Sequence, residues 1–554
     1  MQSKVKTNNI DDTHLDENKE FSHQTLIKDK NGMDGLYAKY VLSVLTLVHV
    51  FNFLDRQILT ILAEDIKTDL GLSDGDLGFL AGTAFAVFYA IFGIPLGRLA
   101  DKWHRIKMVS LGIGFWSLMT GLSGTVKNFG SLAAFRFGVG VGEASATPAI
   151  YSILYDYFSP RIRTTVLAVY NSGLYIGMGL GLFLGGSVLD SWNGSWPDSS
   201  LAPFGLKGWQ VAFTVVGLPG LLLALWVATL REPSRDLGDG LVSSSSVPIR
   251  PIRFFLTEML PMIPLVNLWL LRRTGAKAGV LIVNIAVGGM FFLAAFLLTD
   301  LTGDSLQWKA LALGYYCAFS WIQSLRSHDP VCFNLVFRCK TLVYLYIGVG
   351  LLVFTGAAWG FWSVPYLQRY YGMSSGELGT VMGLSIALAG VLGVLIGGVV
   401  ADKLRLRTQR GKLYVAFIAN IASLAVLNSV LLTEQLAMAY LLNFLHFLFT
   451  PMAHAPLTST VTDLTIPRTR AVAVSLYIMI TIFLGAALGP YFVGLLSDVA
   501  VAKGMGSGEA LRQGMLWGLV PQAIGMLFLA LAIKHLPTDE GNILLRARAL
   551  GEKI

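Results

Sequence analysis

The sequence predicts an all-α membrane protein: two six-helix halves that repeat one another in parallel, with a two-helix hairpin inserted between them. Three observations carry this. Hydrophobic residues make up 54% of the 554 residues and charged residues only 14%, where soluble domains carry about 25% charged. Apolar stretches of about 20 residues, the length that crosses the hydrocarbon core of a bilayer, recur along the chain. A segment of the first half also returns in the second with its glycines and charges at constant spacing. Lipid can solvate so apolar an exterior, provided every backbone group is bonded within a helix. The 59 glycines then read as places where helices pack backbone to backbone.

Taken in order, residues 1–38 form a polar tail of mixed charge without the apolar core of a signal peptide, expected on the cytoplasmic side. The first half, 39–235, offers spans at 40–62, 77–100, 108–126, 132–155, 164–189 and 209–230. The second, 341–536, offers 341–365, 378–401, 413–432, 436–461, 471–496 and 515–533, and 537–554 is a second tail. Between the halves, 236–340 opens on a serine run with Pro248 and Pro251, then carries apolar stretches at 280–299 and 308–325. Parallel repeats must enter the membrane in the same sense, so only an even number of extra spans fits. Arg272, Arg273 and Lys277 precede this pair, Arg326 follows it, and Asp300 and Asp304 lie between. That pattern predicts a membrane hairpin and fourteen spans in all; the alternative is a cytoplasmic helical linker.

Loop charge sets the orientation. Lys102, Arg105 and Lys107, Arg161 and Arg163, Arg231 and Arg235, the run from Lys403 to Lys412, and Arg468 and Arg470 all fall on one side. Glu64, Asp65, Asp69, Asp74 and Asp76 fall on the other. The positive-inside rule then places both termini in the cytoplasm. It also accounts for the net charge of +8 without nucleic acid. Cys317, Cys332 and Cys339 show neither a disulfide framework nor metal-ligand spacing.

The repeat is the most specific feature. Residues 71–103 align with 372–404 at an offset of 301, with eleven of 33 positions identical, among them Gly78/Gly379, Gly82/Gly383, Gly97/Gly398, Asp101/Asp402 and Lys102/Lys403. A second match, at an offset of 307, pairs Pro160-Arg161-Ile162-Arg163 with Pro467-Arg468-Thr469-Arg470, and Tyr170 with Tyr477. Parallel repeats with a binding site at their interface near the bilayer midplane are an established transporter design.

Three motifs carry candidate chemistry. The loop Gly97-Arg98-Leu99-Ala100-Asp101-Lys102, continuing to Arg105, is a candidate conformational gate, with Gly398, Asp402 and Arg405 as its second copy. Gly97 would admit a neighbouring helix, and Asp101 would pair with cations or a helix end across the halves. In the fourth predicted span Arg136 and Glu143 stand seven residues apart, two turns, and so share a face. Charge at mid-membrane costs about 2.5–3.5 kcal/mol even on insertion scales and marks function. In the first span Asp55 and Arg56 are about 100° apart, so they cannot both point straight into a cavity. Asp55 is the preferred proton-titrating group, with Arg136 moving towards or away from it. Gly173, Gly177, Gly181 and Gly185 form a packing stripe. Tyr170, Trp359, Asn443, His446 and His454 are candidate cavity-lining residues.

These residues resemble the major facilitator superfamily, through the 97–107 loop, and within it the Spinster-like branch. The branch resemblance rests on Asp55-Arg56, Arg136 with Gly142-Glu143-Ala144, Gly208-Trp209-Gln210, Arg231-Glu232-Pro233-Ser234-Arg235 and Gly494-Leu495-Leu496-Ser497-Asp498. It implies the major facilitator fold and alternating access by rocking of the halves. It further implies Asp55 and Glu143 as proton-coupling carboxylates, with Arg136 binding an anionic head group or gating the pair and Arg56 in support. The 236–340 insertion departs from that pattern.

The expected function is a proton-coupled secondary transporter for an amphipathic or organic anion, lysolipid-like, in a bacterial inner membrane. It is expected to act as a monomer, with protons and membrane lipids as its other partners and no cofactor, metal or nucleic acid. The rival within transport is proton-linked uptake of a small sugar acid or carboxylate. A rival of another class is a non-transporting receptor or a lipid scramblase. No Walker loop and no nucleophile–base constellation is present, which argues against an enzyme.

Overall fold

A computed structural model describes residues 35–551, apart from 101, 160, 161, 234–249, 274 and 276. Among the described residues every regular element is helical. The first half contains α1 (Leu36–Ile61), α2 (Asp74–Ala100), α3 (Arg105–Ser123), α4 (Phe129–Glu143), α5 (Ala146–Tyr157), α6 (Arg163–Ser195) and α7 (Gly208–Ala228). Two short helices, α8 (Pro251–Met259) and α9 (Val266–Arg273), lead into the inserted pair α10 (Ala278–Thr302) and α11 (Ser305–His328). The second half contains α12 (Lys340–Tyr371), α13 (Ser375–Arg405), α14 (Gly411–Leu432), α15 (Leu436–Asp463), α16 (Val472–Ala502) and α17 (Ser507–Gly541).

Among the described residues twelve helices are long and apolar enough to cross a membrane, against the fourteen that the sequence predicts. All fourteen stretches are helical, and two fall short for identifiable reasons. The predicted fourth span is broken at Ala144 and Ser145 into α4 and α5, of 15 and 12 residues; each alone is shorter than a bilayer core requires. In the inserted pair, α11 is 24 residues long, but Gln307, Lys309, Ser320, Gln323 and Arg326 dilute its apolar character.

The sequence repeat is also a repeat of local structure. Gly71 and Gly372 end their preceding helices at φ +63° and +71°, the left-handed conformation glycine adopts freely. Two residues on, Ser73 and Ser374 cap the next helix, accepting from the Asp76 and Glu377 amides at 2.9 and 3.2 Å. Further along, glycine is required by proximity. A Cβ on Gly78 would sit 2.5 Å from the Pro490 carbonyl of α16, and one on Gly379 2.5 Å from the Leu182 carbonyl of α6. Thus α2 leans on α16 and α13 leans on α6, giving two related seams between the halves.

The inserted pair is held by polar contacts of the kind that glue helices in lipid. Asn284, wholly buried, accepts from the Tyr316 hydroxyl at 2.7 Å and donates to Gln323 Oε1 at 2.6 Å. The hairpin docks over the α2/α16 seam. Tyr315 donates to the Phe483 carbonyl at 3.1 Å, within a five-residue π-turn of α16 (Ile482–Ala486). Trp308 stands edge-on to Tyr491 at 5.4 Å.

Candidate functional site

The charged residues of the first half converge on the space between α1, α3 and α4. The α1 stripe places Arg56 so that its side chain is 26% exposed, while its partner Glu143 has no exposure. Arg56 Nε donates to Glu143 Oε2 at 2.5 Å, and its guanidinium lies 4.2 Å from the Phe85 ring centre and 4.8 Å from that of Phe53. Aromatic faces favour a cation there. Glu143 is the last residue of α4, where the helix dipole opposes a negative charge, so the cation beside it is the main counterweight. Gly140 lets α4 come this near α2: a Cβ there would meet the Phe85 carbonyl at 2.5 Å.

Asp55 is fully buried, and neither carboxylate oxygen has a hydrogen-bond partner. Trp116 Nε1 and Thr120 Oγ1 of α3, also without partners, face it. Arg136, 2% exposed, donates to the Asp55 backbone carbonyl at 3.4 Å, not to its carboxylate. The structure therefore reorders the sequence expectation. Arg56, not Arg136, is the half-open cation and the partner of Glu143; Arg136 stands behind. The 100° step along α1 explains this, since turning Arg56 outward turns Asp55 inward.

Three neighbours escaped the sequence reading. His49, seven residues before Arg56 and on the same face, stacks on Tyr170 at 4.2 Å. Trp116 and Thr120 lie four apart on α3, facing Asp55. An intramembrane His in register with Arg56 was the available signal; nothing in the sequence marked α3.

Of the candidate cavity residues, Tyr170 is buried in the core of the first half. Trp359, Asn443 and His446 are likewise buried, and they bond to one another's surroundings within the second half. Trp359 donates to Asn443 Oδ1 at 3.1 Å, Asn443 contacts the Met382 sulfur at 3.1 Å, and His446 Nδ1 lies 3.0 Å from Ser423 Oγ. His454 differs. It is exposed in the middle of α15 and bonds the Tyr175 hydroxyl of the other half at 3.1 Å.

The bonds that join the halves lie at mid-depth and at the acidic end. Arg369 of α12 donates to Glu64 at 2.7 Å and to both carboxylate oxygens of Asp74 at 2.7 Å. Asp74 also takes Ser497 at 2.7 Å and Lys67 at 2.5 Å. Asp498 accepts from the Asp74 and Gly75 amides at 2.9 and 2.7 Å, capping α2 from across the seam. Asp190 accepts from the Gly376 amide at 2.8 Å in the related position on the other seam. This latch was not anticipated, because its partners lie about 300 residues apart.

At the basic end, Asp101 lies outside the described residues. Arg105 is tied inside its own half, to Asp156, to Glu232 Oε1 at 2.8 Å and to the Pro233 carbonyl at 3.0 Å. Arg405 is tied inside the other, to Glu540, and Asp402 is exposed. The expected close approach at Gly97 is absent: a Cβ there would meet Pro148 at an ordinary 3.7 Å, and at Gly398 it would meet nothing within 4 Å. By contrast, the stripe of Gly173, Gly177 and Gly181 does pack tightly, each against an α1 carbonyl at 2.3–3.0 Å.

Comparison with known proteins places this geometry. The chain is 26% identical to an efflux pump of the same family type from Mycolicibacterium smegmatis, over 85% of this chain and 86% of that protein. It is 31% identical to a probable galactarate/D-glucarate transporter of Escherichia coli, over 36% of this chain and 43% of that protein. A solved bacterial homologue of the human lysosomal transporter Spinster, inward-facing and unoccupied, superposes with a TM-score of 0.63 and 26% identity, over 91% of this chain and 98% of that one. These relatives are transporters and an efflux pump, not enzymes. The family model of the Major Facilitator Superfamily matches residues 45–365, more than half of the chain, and together with the duplicated six-helix halves it makes this protein a member of that superfamily, Spinster-like in its similarity to the solved homologue.

Proposed function

We propose that the chain is a proton-coupled secondary transporter that carries an amphipathic or organic anion by alternating access. The carrying observation is the Arg56–Glu143 pair, a part-exposed guanidinium held by a fully buried carboxylate. An anionic substrate that reaches Arg56 competes with Glu143 for it. Once released, Glu143 would be an unpaired buried charge, a state that costs about 3–5 kcal/mol, and it takes a proton instead. Asp55, buried without a hydrogen bond, is the second carboxylate able to hold one, and Arg136 beside it biases that site. Anion arrival is in this way linked to proton uptake.

The acidic-end latch supports an inward-facing state, as in the structural relative. By the positive-inside rule the basic loops support a reading with the open end and both termini on the cytoplasmic side of a bacterial inner membrane. When the basic end closes in turn, Arg105 and Arg405 would exchange partners where α2 and α13 end, beside Gly97, Asp101, Gly398 and Asp402. Aromatic walls around Arg56 favour a lysolipid-like anion. The second reading, uptake of a small sugar acid, is favoured by the likeness to the galactarate/D-glucarate transporter.

The test is flux in proteoliposomes under an imposed pH gradient. Gradient-driven accumulation is expected, with Asp55→Asn folding normally but losing the response to the gradient; flux indifferent to pH overturns the reading. Thermal stabilisation by lysolipids or by sugar acids, lost in Arg56→Ala, names the class.

A further inference from the structure

At the acidic end the hairpin turn flanks a half-open cavity of about 190 Å³. Its walls come from three parts of the molecule: Asp76 and Phe79 of α2 with Phe129 of α4, Asp304 and Gln307 of the hairpin, and Tyr491 of α16. Asp76 spends one oxygen on the Ser73 amide at 3.1 Å, and Asp304 accepts from the Tyr491 hydroxyl at 2.6 Å. Neither carboxylate has an ion-pair partner among the described residues. Gln307 is 2% exposed, lines the cavity, and neither its carbonyl nor its amide nitrogen is hydrogen-bonded. A buried amide left so is costly unless something in the cavity meets it. The Phe79 and Phe129 rings, 5.7 Å apart, form an aromatic wall.

We propose that this cavity is a binding site for an ammonium group. Two uncompensated carboxylates supply the charge, the Gln307 carbonyl and Tyr491 oxygen supply acceptors, and the rings suit an alkylated cation. No cluster of three or more metal-ligating side chains occurs among the described residues, so an organic cation fits better than a divalent metal. Burial, with the Asp76 charge as a smaller contribution, raises the Asp304 pKa, opposed by the Tyr491 hydrogen bond; a bound cation would relieve that burden. Because the walls come from both halves and the hairpin, occupancy would hold the acidic end closed. The site itself does not depend on the transport reading.

Trp308, packed on Tyr491 and bonded to Thr302 at 2.8 Å, reports on the cavity. The full chain, in phosphatidylglycerol nanodiscs, is titrated with choline and with ethanolamine at constant ionic strength against sodium chloride. A saturable fluorescence change, absent in Trp308→Phe, is expected. Asp304→Asn and Gln307→Leu should each weaken it by about tenfold with unchanged thermal unfolding in the absence of amine. A free amine then titrates identically in phosphatidylethanolamine nanodiscs, whereas a lipid headgroup at the site shifts the curve to higher amine concentration; both results support an ammonium site and name its source. No saturable change, the same change with sodium alone, or binding that survives both substitutions overturns it.

Discussion

In the first half the space between α1, α3 and α4 holds Asp55, Arg56, Arg136 and Glu143; in the second, the corresponding α12, α14 and α15 hold Trp359, Ser423, Asn443 and His446. The repeat makes these the same three helices of one design. A neutral hydrogen-bonded network therefore suffices to join them, so the four charges of the first half are not needed for the fold. Each carries a penalty of about 2.5–3.5 kcal/mol at mid-membrane, which the proposed function would account for.

The contrast can be broken most severely at Arg56. Arg56→Ala strips Glu143 of its partner and should abolish anion flux, with a stability loss of about 2 kcal/mol or more, less than a fully buried pair because Arg56 is partly exposed. Retained flux would mean that the charged half is structural after all. Next in size is Arg369→Ala, which leaves the buried Asp74 with Lys67 and Ser497 alone. Spin labels on the acidic-end loops should show at least a tenfold shift towards separation, about 1.4 kcal/mol. Unchanged distances would remove the latch from the account. The seams offer a symmetric test. Gly78→Leu and Gly379→Leu each drive a side chain into a carbonyl 2.5 Å away, and each should lower stability by about 1–3 kcal/mol; a loss at one copy only would break the equivalence of the seams. The smallest effect belongs to His446→Gln, which should cost about 1 kcal/mol and leave flux and its pH dependence intact. Lost coupling there would give the neutral half a share in the chemistry.

Much of the fold was legible because each signal was local. Span length and glycine spacing are each set by neighbouring residues, and the 301-residue offset carried them into the second half. The site was legible as a set of residues but not as a set of pairs. Arg136 and Glu143 share a helical face, yet Glu143 is met by Arg56 from another helix, because the break after Glu143 and the close approach at Gly140 bring α4 to α1 and α2. Twelve of the fourteen expected spans are single long apolar helices among the described residues; the break divides the fourth into two short helices, and polar residues dilute α11.

The sequence by itself determined membrane residence, two repeated halves, the end that carries positive charge, and which ionisable residues lie within spans, since hydrophobicity and periodicity are properties of contiguous chain. Tertiary structure alone decided which cation faces the cavity, where the latch lies, and which seam the hairpin covers. Those outcomes depend on side chains hundreds of residues apart meeting at distances near 3 Å, and no local pattern encodes them.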